Sequence, residues 1–404
     1  MTTTDSAAAD TADWLLSPEA IRTQCGALYA LAKAGDLAHF TLHPDRLDAC
    51  AADVVSTMRT AYPDLDIPPH ARWRHFVLAG RDRWAEIAAT LDVPRIERAR
   101  IECELAIVSV LLDAGAGASW RYRDPADAAD FARSEGLALA SLHMFAAGAF
   151  GDGRIGTTVE RLSGFSADDL ATGFQVAPDN RLEGLEGRAA LIASLGSAVA
   201  ARPDAFGTPP RLGNIVDHLA GLGGDTLPAR EILRTVLDVL GSIWPDRPTM
   251  AGRVLGDCWA HPQAPSPGLV PFHKLSQWLS YSLIEPLQRA GLHVTELDAL
   301  TGLAEYRNGG LFLDTGVLTL RDPDAAATAH APDSALIVEW RALTVMLLDE
   351  VAGIVRRQLG MTAESLPLAA VLEGGTWSTG RRLARTLRPG GVPPLNIRST
   401  GTVF

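Results

Sequence analysis

The apolar positions of this chain recur mostly every three or four residues, the period of a helix, and rarely every second residue. Ser17-Pro18-Glu19 reads as a helix start, with serine at the N-cap and proline at the first helical position, and Ile21, Leu28 and Leu31 follow on one face. Further helical patterns cover Leu47–Tyr62, Arg83–Leu91, Pro94–Asp113, Asp124–Phe150, Leu182–Ala201, Asn214–Leu222, Ala229–Ile243, Lys274–Gly291, Ser334–Leu359 and Thr379–Leu387. A further helix is expected over 296–308, opened by Thr295 with Asp298 three residues on and stopped by Gly309-Gly310. Two hairpins are expected, one around Asp314-Thr315-Gly316 between Leu311-Phe312-Leu313 and Val317–Leu320, the other around Ser399-Thr400-Gly401. Residues 1–17 read as a disordered lead. The pattern therefore predicts a mainly α protein, with residues 18–404 as one large helical domain and a subdomain boundary near 203–211.

Composition narrows the function classes. Of 404 residues, 47% are hydrophobic and 21% charged, enough for a sizeable core. A net charge of -12 argues against nucleic acid as a main partner, because phosphate backbones need a basic face. It leaves room for a small phosphorylated ligand, which needs only a few local cations. Cys25, Cys50, Cys103 and Cys258 are scattered and form no CxxC, as expected of buried thiols in a reducing compartment. The apolar run 105–112 is too short to span a bilayer, and Met1 to Asp13 carries no basic targeting region, so a cytoplasmic location is expected.

Candidate chemistry concentrates in five stretches. In the first, Glu305, Tyr306, Arg307 and Asn308 put a carboxylate, a phenol, a cation and an amide side by side. Arg307 projects to the apolar side, where a guanidinium requires a carboxylate or an anionic ligand; the plain alternative is a surface helix whose Arg307 binds its last carbonyls. Asp113 opens a loop of small residues leading to Trp120 and Tyr122, aromatics that either plug the turn or stack on a ring or sugar. Its GAGAS run follows a helix, not a strand, and is no dinucleotide fingerprint. Arg133-Ser134-Glu135-Gly136 interrupts an apolar helix, as a binding residue or a helix-start cap. Cys258, His261 and His273 lack a fourth ligand at a recognised spacing, so no metal is expected. His273 and Lys274 precede a helix carrying Trp278 and are placed to meet an anion. The last stretch, Glu373–Arg382, sets glycines and hydroxyls before a basic helix with Trp377 and Arg381; it reads as an anion cradle or a capped basic helix, without a Walker ending.

Taken together, LEGLEGRAALI (Leu182–Ile192), DAGAGASWRY, RSEGLA, LVPFHKLSQWLSYSL, LTGLAEYRNGGLF, GGTWSTGRRLA and STGTVF make the chain resemble the uracil-catabolism proteins of fungi and bacteria, long catalogued as a domain of unknown function. The likeness covers nearly the whole chain after the lead and departs at Thr400, where the family has Asp. It implies a route in which uracil becomes a ribonucleotide, its ring is opened, and urea and a three-carbon acid are released. LTGLAEYRNGG is also similar, more distantly, to the LTxxxDYR segment of queuosine-salvage nucleotide N-glycosylases, helical proteins similar to DNA glycosylases. That likeness implies a multi-helix, DNA-glycosylase-like architecture. Glu305 takes the place of the acidic residue there and Tyr306 and Arg307 match; Asn308-Gly309-Gly310 replaces the VPQ that follows.

The resulting expectation is a hydrolase that cleaves the N-glycosidic bond of a ring-opened uridine nucleotide, ribosylurea 5'-phosphate, to urea and ribose 5-phosphate. Glu305 is the expected catalytic carboxylate for an oxocarbenium-like transition state. Arg307, Lys274 and Arg381 are phosphate candidates, Asn308 and Glu135 ureido candidates, and Trp120 and Trp278 walls for the sugar. His273, Arg133, Asp113, Tyr306 and Trp377 complete the expected substrate contacts. No cofactor, membrane or nucleic-acid partner is expected, and the sequence leaves the oligomeric state open. An amidohydrolase acting on the ureido C–N bond and a non-catalytic binder of a pathway intermediate are the rivals.

Overall fold

The computed structural model describes residues 3–117, 119–244 and 247–398. Helices dominate it. In chain order the longer ones are α1 (Thr3–Leu15), α2 (Pro18–Ala34), α3 (Leu47–Ala61), α4 (Arg95–Leu111), α5 (Arg133–Ala146), α6 (Leu185–Ala201), α7 (Ala229–Leu240), α8 (Lys274–Ala290), α9 (Tyr306–Asp314), α10 (Ala335–Leu359) and α11 (Trp377–Leu387). The fold class is mainly α, as the periodicity predicts. The hairpin expected around Ser399-Thr400-Gly401 lies outside the described residues.

The chain forms two compact units, each built from discontinuous segments. One holds the stretch up to His70, Arg247–Gln277 and Glu296–Arg398; the other holds the stretch from Ala71 to Trp244 and Trp278–Thr295. The loop at 203–211 lies inside the second unit and is pinned there. Arg211 donates to Glu97 at 2.6 Å and Glu104 at 2.7 Å, and Arg100 donates to Asp217 at 2.9 Å, along one side of a surface cleft of about 680 Å³.

In the first unit α10 packs across α2 and α3; Ile21 and Leu28 of α2, Val54 and Met58 of α3, and Leu343, Leu347 and Val351 of α10 are all buried. The start of α2 follows its sequence signal: Ser17 accepts the Ala20 N–H and Pro18 opens the helix. The expected disordered lead is instead α1. Its Ala12 and Leu15 are fully buried against Leu255 and Cys258, a long-range contact invisible in a run of Ala, Thr and Asp. Phe40–Leu42 pairs antiparallel with Leu318–Leu320, so the hairpin expected around Asp314 does not form; Leu311–Leu313 belong to α9. Cys258–Ala260 and Leu269–Pro271 make the local antiparallel pair instead.

In the second unit α4 packs on α5 and α6, and α7 covers α6, around Leu105, Val108, Leu139, Leu191 and Leu195. The pattern read as one helix over Asp124–Phe150 begins only at Arg133. The preceding Asp130–Phe131 pairs with Tyr122–Arg123. Thr226–Pro228 and His293–Thr295 form a short parallel pair.

Candidate active site

The stretch around Glu305 is built in the opposite sense to the expectation. Residues 301–304 are non-helical, Glu305 is the N-cap, and α9 starts at Tyr306 and runs through Gly309-Gly310. The reason lies in α10. A Cβ on Gly309 would meet the Trp340 ring at 2.8 Å and Thr344 Oγ1 at 2.9 Å, and Trp340 Nε1 donates to the Gly309 carbonyl at 3.1 Å. The glycines serve close helix contact, not helix termination.

Glu305 uses both carboxylate oxygens on the exposed N–H groups of the first turn: Arg307 N–H at 2.7 Å and Asn308 N–H at 2.6 Å. The residue is partly exposed. Burial raises its proton affinity; the two backbone donors, Lys274 and Arg307 oppose that, and the net shift is upward. Each oxygen keeps a second lone pair, so this carboxylate can accept a proton from water or face a developing cation.

Its neighbours divide into supports and possible contacts. Asn308 is fully buried and committed at both ends of its amide: Nδ2 donates to the Leu303 carbonyl at 3.2 Å and Oδ1 accepts Thr376 Oγ1 at 2.9 Å. It clamps the segment before α9 to the turn before α11, which displaces the expected ureido contact. Arg307 is buried, donates to the Gly391 carbonyl at 2.8 Å and lies over the Tyr306 ring at 4.9 Å. The partner required of the buried guanidinium is thus a carbonyl and a ring, and the expected phosphate role loses its support. His273 is also a core residue: it adopts a left-handed φ of 47° and its Nε2 meets the Leu15 carbonyl at 2.8 Å. Burial lowers its pKa, and the nitrogen that meets the Leu15 carbonyl is committed to the core rather than to the expected anion. Cys258, packed on α1, and His261, 3.8 Å from Glu339, complete no ligand set with it; among the described residues no group of His, Cys, Asp and Glu is arranged to hold a metal ion.

Lys274 opens α8. Its N–H is capped by Asp257 Oδ2 at 3.0 Å, and its charge is felt by Glu305. Asp257 also accepts both Nη atoms of Arg341, at 2.8 and 2.7 Å, and the Trp259 indole at 2.6 Å. Burial alone would raise its pKa, but Arg341 and these donors hold it well below the usual carboxylate range. Arg341 in turn donates to the Ala304 carbonyl at 3.2 Å. One ion pair therefore fixes both the start of α8 and the residue before Glu305. Arg341 escaped the sequence reading; a lone Glu-Trp-Arg inside the apolar α10 was its signal.

The Glu373–Arg382 stretch is a π-turn (Leu372–Thr376) running into α11. Glu373 Oε2 lies 2.6 Å from His70 Nδ1; Trp377 lies near the His70 ring at 6.0 Å, and Arg381 covers Trp377 at 5.1 Å. Nothing in the sequence singled out His70.

The second unit gathers the remaining candidates. Asp113, two residues beyond α4, accepts Arg72 Nη1 at 2.9 Å, while Arg72 Nε donates to Ser109 at 2.7 Å. Burial lowers the pKa of Arg72, with Asp113 and then Glu135 acting against it. The guanidinium lies 5.5 Å from the Trp278 ring, whose edge meets His75 at 5.6 Å. Arg188 donates to the carbonyls of Leu112 and Gly115 and so fixes the backbone around Asp113. Arg133 starts α5 with φ 55°. Trp120 is fully buried with its indole on the Phe174 carbonyl at 3.0 Å, and a Cβ on Gly136 would come within 2.9 Å of its ring. Trp120 is thus a core plug rather than a sugar wall, and Gly136 in the RSEGLA segment is explained by that contact. Arg72 was missed; the cationic and aromatic run Arg72-Trp73-Arg74-His75-Phe76 was the available signal.

A mainly helical chain with its carboxylates on a helix N-terminus and a π-turn belongs to the family described as protein of unknown function (DUF1688), which matches residues 14–404. Two relatives carry fuller names. The chain is 39% identical over 402 residues to protein urg3 of Schizosaccharomyces pombe, covering 96% of this chain and 98% of the relative. It is 35% identical over 411 residues to uracil catabolism protein 4 of Lachancea kluyveri, covering 91% and 92%. Among the described residues no helix is long and apolar enough to cross a membrane.

Proposed function

We propose that this chain acts in uracil catabolism, as a hydrolase that cleaves the N-glycosidic bond of ribosylurea 5'-phosphate. The name of the Lachancea kluyveri relative supports the pathway. The seat of Glu305 carries the reaction: a partly exposed carboxylate of raised proton affinity, held at both oxygens by a helix N-terminus. Such a group matches cleavage through an oxocarbenium-like transition state, where it accepts the proton of the attacking water and faces the positive anomeric carbon. Lys274 and Arg381 are the cations assigned to the 5'-phosphate.

The test is product analysis with purified protein. Ribosylurea 5'-phosphate should yield urea and ribose 5-phosphate in equal amounts, with or without chelator. Glu305→Gln should lower kcat by roughly 10²–10⁴-fold, the usual worth of a general base. Glutamine also sets an NH2 against one backbone N–H of the cap, so a thermal melt must accompany the assay. Ammonia and carbon dioxide in place of urea, or turnover abolished by chelator, would favour the amidohydrolase. Binding without any release would favour the non-catalytic binder.

A further inference from the structure

Cleavage of a ribosylurea needs more than Glu305. Urea leaves poorly as an anion, so a second group has to give the departing nitrogen a proton. Glu305 cannot do this while it stays ionised to meet the cation and take a proton from water. The other carboxylates of the first unit offer few candidates. Asp257 is saturated by Arg341, Trp259 and the Lys274 N–H. Asp314 is held at both oxygens by Arg388, and Asp298 is shared between Arg356 and the Leu368 N–H. Glu339 is fully buried and accepts the N–H groups of His39 and Phe40.

Glu373 differs from all of these. One oxygen is engaged by His70 at 2.6 Å; the other takes no hydrogen bond among the described residues, and the side chain is 14% exposed. It stands on a π-turn, a rare insertion that gathers at functional sites. Packing sets that turn: Cβ atoms on Gly374 and Gly375 would come within 2.8 Å of Ile67 and 2.6 Å of Val54. Three residues on, Thr376 bonds Asn308, whose own N–H holds Glu305. The two carboxylates therefore sit on elements locked together by one hydrogen-bonded chain.

We propose that Glu373 is the acid of this reaction and that His70 is its positioning residue; the inference rests on the glycosidase reading above. The Glu373 carboxyl gives its proton to the ureido nitrogen as the C1'–N bond breaks and the bonding pair goes to urea. Water adds to the anomeric carbon and its proton passes to Glu305. Exchange with solvent removes the proton from Glu305 and returns one to Glu373, and the sum is ribosylurea 5'-phosphate plus water giving ribose 5-phosphate plus urea.

A substrate that needs no acid separates this role from a structural one. Ribosyl fluoride 5-phosphate loses fluoride without a proton donor, and its hydrolysis is read with a fluoride electrode. Glu373→Gln should slow ribosylurea 5'-phosphate by roughly 10²–10⁴-fold and the fluoride by less than about tenfold, since only the first requires general acid. His70→Gln should show the same selectivity, more weakly. Equal losses on both substrates, or no loss on either, would overturn the role of Glu373 while leaving the glycosidase reading intact. Wild-type protein that releases fluoride or ribose 5-phosphate from neither substrate would remove both.

Discussion

Asp257 and Glu305 both feel the loss of water on burial, yet their proton affinities move in opposite directions because Asp257 has a full cation and Glu305 has mainly dipoles. The signs give separate pH dependences. With its pKa depressed in the fold, Asp257 contributes stability that is present above its unfolded pKa, about 3.9, and lost as pH falls through the folded value. Asp257→Asn should remove part of that acid-limb slope and destabilise the protein by about 3–5 kcal/mol, because Arg341 stays buried with half its partnership broken. Urea denaturation at neutral and acid pH measures both effects. The raised pKa of Glu305 works the other way: the stability tied to it is present below its unfolded pKa, about 4.3, and is lost as pH rises through the folded value. In the proposed reaction Glu305 acts in its ionised form. The acid limb of kcat/KM on ribosylurea 5'-phosphate should therefore lie above the ordinary glutamate range; a limb at or below that range would count against Glu305 as base.

At the scale of elements, the two ends of local sequence signalling behaved differently. Ser17-Pro18 placed the start of α2 correctly because a serine cap and a first-turn proline act within four residues. The local signals of segment 296–314 point the wrong way because its determinants are distant. A glutamate is an uncommon cap, and Gly309-Gly310 looks like a stop until Trp340, some thirty positions later, is seen to press on it. The same holds for the site. Glu305 is singled out as a candidate by its motif alone, whereas Arg341, His70 and Arg72 acquire meaning only through partners far along the chain. Gly309→Ala tests the packing account by the sign of its effect. In a free helix it would stabilise by about 1 kcal/mol. Against the Trp340 ring it should destabilise by about 1–3 kcal/mol, the cost of overpacking, as read from the denaturation midpoint.

At the scale of the whole molecule, the helical class was legible, since a period of 3.6 survives any arrangement of helices, but the extent of the fold was not. Composition assigned the lead to disorder; three-dimensional packing makes it α1. Ala12 and Leu15 fill a small apolar cluster with Leu255 and Cys258, and the Leu15 carbonyl meets His273 just before α8. Removing residues 1–16 should uncover apolar surface worth about 1.5–3 kcal/mol for Leu15 alone. It should also leave a buried imidazole nitrogen without its carbonyl, costing about a further 1–3 kcal/mol. The Asp13–Arg253 ion pair is exposed and adds little. Cys258 offers a second readout independent of stability. Burial pushes its thiol pKa up to about 12, so in the full chain it should react slowly with an aromatic disulfide at neutral pH. With α1 absent the thiol regains water and should react many times faster under conditions where the protein is still folded by circular dichroism. Unchanged reactivity and an unchanged denaturation midpoint would show that α1 is not part of the packed fold, and would return the lead to the disorder its composition suggests.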